Sequence, residues 1–82
     1  MSKEVIQNYV FNAAGKQVTL TDFSSIDLSR LALITNVTDN IIIFSFTDPD
    51  KGASVSGNVI TLDYDTSSMS DSDDIRVDYN TV

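Results

Sequence analysis

The stretch Val59–Tyr79, VITLDYDTSSMSDSDDIRVDY, decides how this chain folds. At its start, Ile60, Leu62 and Tyr64 alternate with Val59, Thr61 and Asp63. At its end, Ile75, Val77 and Tyr79 alternate with Arg76 and Asp78. A period of two places alternate side chains on opposite faces, so both ends read as half-buried strands. Asp65–Asp74 between them is too polar to join a core and reads as a loop.

Working outward, the same alternation recurs. Tyr9–Phe11 and Gln17–Thr21 flank NAAGK (Asn12–Lys16), a hairpin in which Gly15 is free to take positive φ. Leu31–Val37 presents Leu31, Leu33, Thr35 and Val37 on one face and Ala32, Ile34 and Asn36 on the other. Thr38–Asn40 links it to Ile41–Phe46. In that segment Ile41, Ile43 and Ser45 share one face, and Ile42, Phe44 and Phe46 the other. Apolar groups on both faces point to a central strand, or to one covered by a neighbouring subunit. DPDKG (Asp48–Gly52) forms a turn, with Pro49 fixing φ and Gly52 closing a left-handed position. A short strand Ala53–Val55 and the turn Ser56–Asn58 complete the pattern. The one helix-like segment is Ile26–Leu33, where Asp27 or Ser29 can cap a turn. The expected fold is all-β: a small antiparallel sandwich or partly open barrel of about six to eight short strands. Residues 1–8 are expected to form a tail or weak edge strand, 9–80 a single β-domain, and 81–82 a C-terminal end.

Size agrees with one domain. For 9.0 kDa, scaling gives a folded surface of about 5,000 Å² against about 13,000 Å² unfolded. Chains this small often gain stability by assembling. Twelve acidic and five basic side chains give a formal charge of −7. The basic residues Lys3, Lys16, Arg30, Lys51 and Arg76 are scattered in sequence, so nucleic acid and anionic membrane are poor partners. There is no apolar run long enough for a membrane-spanning helix and no signal-peptide core. The expected place of synthesis is the cytoplasm.

The chain lacks His, Cys and Trp, which removes the commonest general base, the thiolate nucleophile and the usual zinc ligands. No Walker or dinucleotide motif occurs. A Ser–Lys dyad through Lys16 or Lys51 has no supporting spacing, and no carboxylate pair is marked by an apolar setting. An enzyme is therefore not expected. Calcium is the one cofactor worth testing. Asp63, Asp65, Ser67, Met69, Asp71 and Asp74 fall at positions 1, 3, 5, 7, 9 and 12 of an EF-hand-like loop. The match lacks the central glycine, Ser68 standing there, and Asp74 is shorter than the usual glutamate. Asp63, Asp65, Asp71, Asp73 and Asp74 are left as candidates for an irregular site, with a solvated acidic loop as the simpler reading. Asp48 and Asp50 are expected to serve an Asx turn. Asn36–Thr38 (NVT) matches a glycosylation acceptor, yet suits backbone-satisfying positions beside a turn. Tyr9, Tyr64 and Tyr79 read as core or interface residues. Tyr64 and Tyr79 are the first stacking candidates if the domain is instead a binding module for a host-surface glycan or partner protein.

The run Leu31–Tyr79, with the preceding YVFNAAGKQVTLTDF, resembles a module recurring in structural proteins of tailed bacteriophages. Leu62, Tyr64, Asp65, Thr66, Ser67, Met69 and Asp71 carry the resemblance most specifically. The terminal strand departs from the pattern, Arg76 replacing a neutral residue. The resemblance covers about residues 9–80. It implies a noncatalytic virion building block assembled in the host cytoplasm: a capsid decoration or cement protein, or an accessory tail or baseplate subunit. Its implied partners are copies of itself, larger virion proteins, or both. Ile34, Ile41, Ile43 and Val59 are the candidates for an outward apolar interface.

Overall fold

A computed structural model describes residues 3–80 as two four-stranded antiparallel sheets packed into an open sandwich that does not close into a barrel. The strands are β1 (Lys3–Ile6), β2 (Val10–Asn12), β3 (Gln17–Thr19), β4 (Leu31–Asn36), β5 (Ile41–Ser45), β6 (Ala53–Ser56), β7 (Val59–Leu62) and β8 (Ile75–Asn80). One sheet has the order β1-β8-β4-β5 and the other β2-β3-β7-β6. The assignments for residues 1–2 and 81–82 lie outside the described residues. Accessible surface is 4659 Å², close to the size expectation.

The core lies between the sheets. From the first sheet come Ile6, Leu31, Ile34, Phe44, Val77 and Tyr79; from the second come Phe11, Val18, Ile60 and Leu62. Ladder register puts Ile6, Val77, Ile34 and Phe44 in one inward row. Phe11, Val18, Ile60 and Val55 make the facing row. Burying each large aliphatic side chain contributes about 1.5–3 kcal/mol before the entropy of ordering it.

Two irregularities change the faces read from sequence. On β4 the pairing with β8 shifts between Leu31 and Leu33, so Ala32 is an extra residue. Leu31 and Ile34 then both point inward, and Leu33 points out. On β5 the pairing passes from Ile34↔Phe44 to Thr35↔Ile42, leaving Ile43 as the extra residue. A bulge lets two consecutive side chains serve one face, so Ile43 and Phe44 are both buried. The central-strand alternative is corrected here: β5 is an edge strand, and the bulge accounts for the burial of both Ile43 and Phe44.

The left-handed turn positions also differ from expectation. Lys16 (φ 57), not Gly15, takes the positive φ in the first hairpin, and Asn40 (φ 57) takes it in the second. Gly52 is extended, and a Cβ there would meet only the end of the exposed Asp63 side chain, Oδ2 at 2.9 Å, which can swing aside. Gly57 has φ 61 in the β6–β7 turn. The helix-like segment shrinks to one 3₁₀ turn, Leu28–Arg30, capped by Asp27 accepting from the Ser29 N–H. No helix among the described residues is long and apolar enough to cross a membrane.

Candidate functional site

The acidic stretch 63–74 folds as a strap across one end of the sandwich. Asp71 Oδ1 accepts from the Ala13 N–H at 2.7 Å, and Thr66 Oγ1 donates to the Ala13 carbonyl. These bonds tie the strap to the β2–β3 turn. On the other side, Asp73 Oδ2 accepts from Asn36 Nδ2 at 2.9 Å, and the Asp74 N–H donates to Thr38 Oγ1. The Val37 N–H donates to the Asp74 carbonyl. These tie it to the β4–β5 turn. Tyr9, half-buried, accepts through its hydroxyl from the Ile75 N–H where β8 begins.

The calcium candidates are therefore dispersed among separate duties. Asp63 follows directly on β7, its N–H donating to the Gly52 carbonyl. Asp65 closes a local turn by accepting from both the N–H and the hydroxyl of Ser67. These bonds, the side-chain one foremost, hold its carboxyl below the usual carboxylate range. Asp71 and Asp73 point to opposite ends of the strap. Among the described residues no three acidic side chains gather as a cation site. Alternation along the loop suggested a ring of ligands, but that requires one curvature throughout, whereas this loop is pulled toward both sheets.

Other expected sites also acquire structural roles. Asn36 is wholly buried and hydrogen-bonded through its amide to Asp73 and Asp39, so the acceptor-like tripeptide presents no free amide. Asp48 accepts from the Asp50 N–H in an Asx turn. Tyr79 is buried, meets Phe23 edge-to-face at 5.4 Å, and accepts from the Asp27 N–H. Tyr64 is half-buried under the Lys51 ammonium, 5.7 Å from the ring centre.

The interface candidates need correction. Ile34 and Ile43 are at 0% exposure inside the core and present nothing outward. Ile41 pairs with Asn36 on the inward-facing register and is half-buried. Val59 does lie on the outer face of its sheet, beside Thr19 and Ser56, among mostly polar neighbours.

The more apolar outward surface belongs to the β1-β8-β4-β5 sheet. Register places Val5, Asp78, Leu33 and Ser45 in one outer row, and Arg76, Thr35 and Ile42 in the next. Val5 and Ile42 are each 40% exposed, with Val37 and Phe46 (61%) at the β4–β5 ends. Two open hollows of about 440 Å³ each lie along β4 and share Leu33. Asp78 Oδ1 meets Arg76 Nε at 3.2 Å, the carboxylate side chain 11% exposed and the guanidinium side chain 58%. Sequence reading missed this face because it grouped Leu33 with Leu31; the bulge at Ala32 separates them.

No family model matches the chain, and neither curated proteins nor solved structures gave a match.

Proposed function

We propose that this chain is a noncatalytic structural subunit of a tailed-phage particle, a capsid decoration protein or an accessory tail or baseplate component, that works through protein–protein contact. The virion setting rests on the resemblance of residues 9–80. The mode of action rests on one observation: the outer face of the β1-β8-β4-β5 sheet is a continuous surface in which Val5, Leu33 and Ile42 surround a neutralised Arg76–Asp78 pair. Exposed apolar side chains gathered on one face suit a surface that is covered in use. The distribution of charge supports the same reading. Of twelve acidic residues, ten lie outside the strands, where they keep the rims of the sandwich solvated.

The test is incorporation. Density-purified particles from a culture producing this chain are digested, and its peptides are sought by mass spectrometry. Stoichiometric peptides in intact particles are expected. Their absence from particles, while the chain is abundant in the same lysate, overturns the proposal.

A further inference from the structure

We propose that the outer face of the β1-β8-β4-β5 sheet binds the same face of a second copy of this chain, around a two-fold axis. The inference rests on the proposed function's reading of that face as a contact surface, and adds the partner.

Three observations favour a second copy. The first is charge. An isologous contact must be complementary to itself. Arg76 and Asp78 stand two residues apart on β8, paired at 3.2 Å. A two-fold axis perpendicular to the Arg76–Asp78 direction sets two such pairs head to tail, so that each guanidinium faces the other copy's carboxylate. The other positions of these two outer rows, Val5, Leu33, Thr35, Ile42 and Ser45, are uncharged, and the register places Lys3 opposite Asn80 at the end of the face. A strongly basic partner would instead be drawn to the acidic rims, whereas a second copy meets this face at its one balanced charge pair and keeps its own acidic rims apart in solvent.

The second is area. The chain measures 34 × 25 × 22 Å, so any one face spans on the order of 550–850 Å², against about 800 Å² per partner in a standard interface. A face-to-face dimer that covers this whole side of the molecule therefore comes within the range of a standard interface.

The third is chemistry. Arg76, half-exposed over a nearly buried carboxylate, is the kind of residue that anchors interfaces. Leu33 lies in both hollows along β4, so the surface is contoured where the exposed Ile42 or Phe46 of a second copy can seat.

The test is the mass of the full chain by light scattering and sedimentation across a concentration series, at low and high salt. The mass is expected to rise from 9.0 kDa toward twice that value with concentration. Association is expected to strengthen with salt, because the like-charged rims repel and salt screens them. Ile42→Lys reduces the net negative charge, yet is expected to weaken association at least tenfold while keeping the wild-type melting temperature at dilutions where both are monomeric. Val10→Lys, on the outer face of the opposite sheet, is expected to leave it unchanged. A monomer at every concentration and salt overturns the inference, as does loss through Val10→Lys but not Ile42→Lys. A monomer that still enters particles overturns the dimer and leaves the proposed function standing. A dimer absent from particles supports this inference and overturns the virion reading.

Discussion

Thr66 Oγ1 donates to the carbonyl oxygen of Ala13 across 2.7 Å, and both residues are buried. This bond seats the acidic strap on the β2–β3 turn. Thr66→Val keeps the volume but removes the shorter of two bonds to the Ala13 carbonyl, which retains the Lys16 N–H at 3.2 Å, a cost of about 1 kcal/mol. In a domain of this size each kcal/mol lowers the melting temperature by roughly 4–8 °C. Thr66→Ser retains the hydroxyl and is expected to lose less. Thermal melts of the two variants check this, and equal melting temperatures would contradict it.

Asn36 holds the other end of the strap. Its amide donates to Asp73, and its carbonyl oxygen accepts from the Asp39 N–H at 3.0 Å. Asn36→Leu replaces those bonds with an apolar side chain facing carboxylates and is expected to destabilise by about 2 kcal/mol or more. Backbone hydrogen exchange is the more telling measurement: faster exchange confined to residues 66–74 and the β4–β5 turn is expected, and uniform acceleration would argue against a local latch.

Acid is expected to weaken the fold through Asp27 and Asp65. Ser29 and Ser67, chiefly through side-chain hydrogen bonds and next through their N–H groups, hold these carboxyls below the usual range. A lowered folded pKa stabilises above the unfolded value, and that contribution disappears as pH falls through the folded one. Stability is therefore expected to be level between pH 7 and 5 and to decline below about pH 4. Both groups are exposed, so solvent limits the effect. In urea titrations across this range, Asp65→Asn should show a shallower decline; a slope equal to wild type would remove Asp65 from the account.

Calcium is expected to leave the melting temperature unchanged. The carboxylates of Asp71, Asp73 and Asp65 are taken up by Ala13, Asn36 and Ser67, Asp63 and Asp74 are fixed through their backbone groups, and among the described residues no three acidic side chains converge. Melts in chelator and in millimolar calcium measure this directly, and a rise of several degrees would mean that the strap rearranges around a cation.

Gly57 is the backbone position least able to change. Its φ of 61 costs an L-residue about 1–2 kcal/mol, although the nearest atom to an added Cβ, the Ser24 carbonyl oxygen, is a comfortable 3.9 Å away. Gly57→Ala should therefore lose stability without steric distortion, and Gly57→Asn should lose less. An Ala variant as stable as wild type would show that the turn has adopted another conformation.

Most strands were legible because β-branched alternation and turn residues act locally. Ile75–Tyr79 and Ile41–Phe46 match β8 and β5 within a residue at their ends. What could not be read was the facing of β4 and β5. One extra residue at Ala32 and another at Ile43 reverse the alternation, and these bulges arise from pairing with distant strands. The same reversal moved Ile34 and Ile43 from the expected interface into the core and brought Leu33 to the surface. The acidic loop was legible as polar. That its carboxylates would fasten two separate turns depended on which ends of the sheets meet, which local sequence does not encode.

The place of β8 has a consequence for how the protein comes into being. It lies between β1 and β4, and its register joins Lys3 to Asn80. A growing chain can pair all four strands of the β2-β3-β7-β6 sheet once Leu62 has emerged, but the other sheet lacks a middle strand until the chain nears Asn80. Pairing across such separation is slow, so nascent chains spend time with Ile6, Ile34 and Phe44 uncovered. Chaperone demand should fall sharply once residues 75–80 are free to pair.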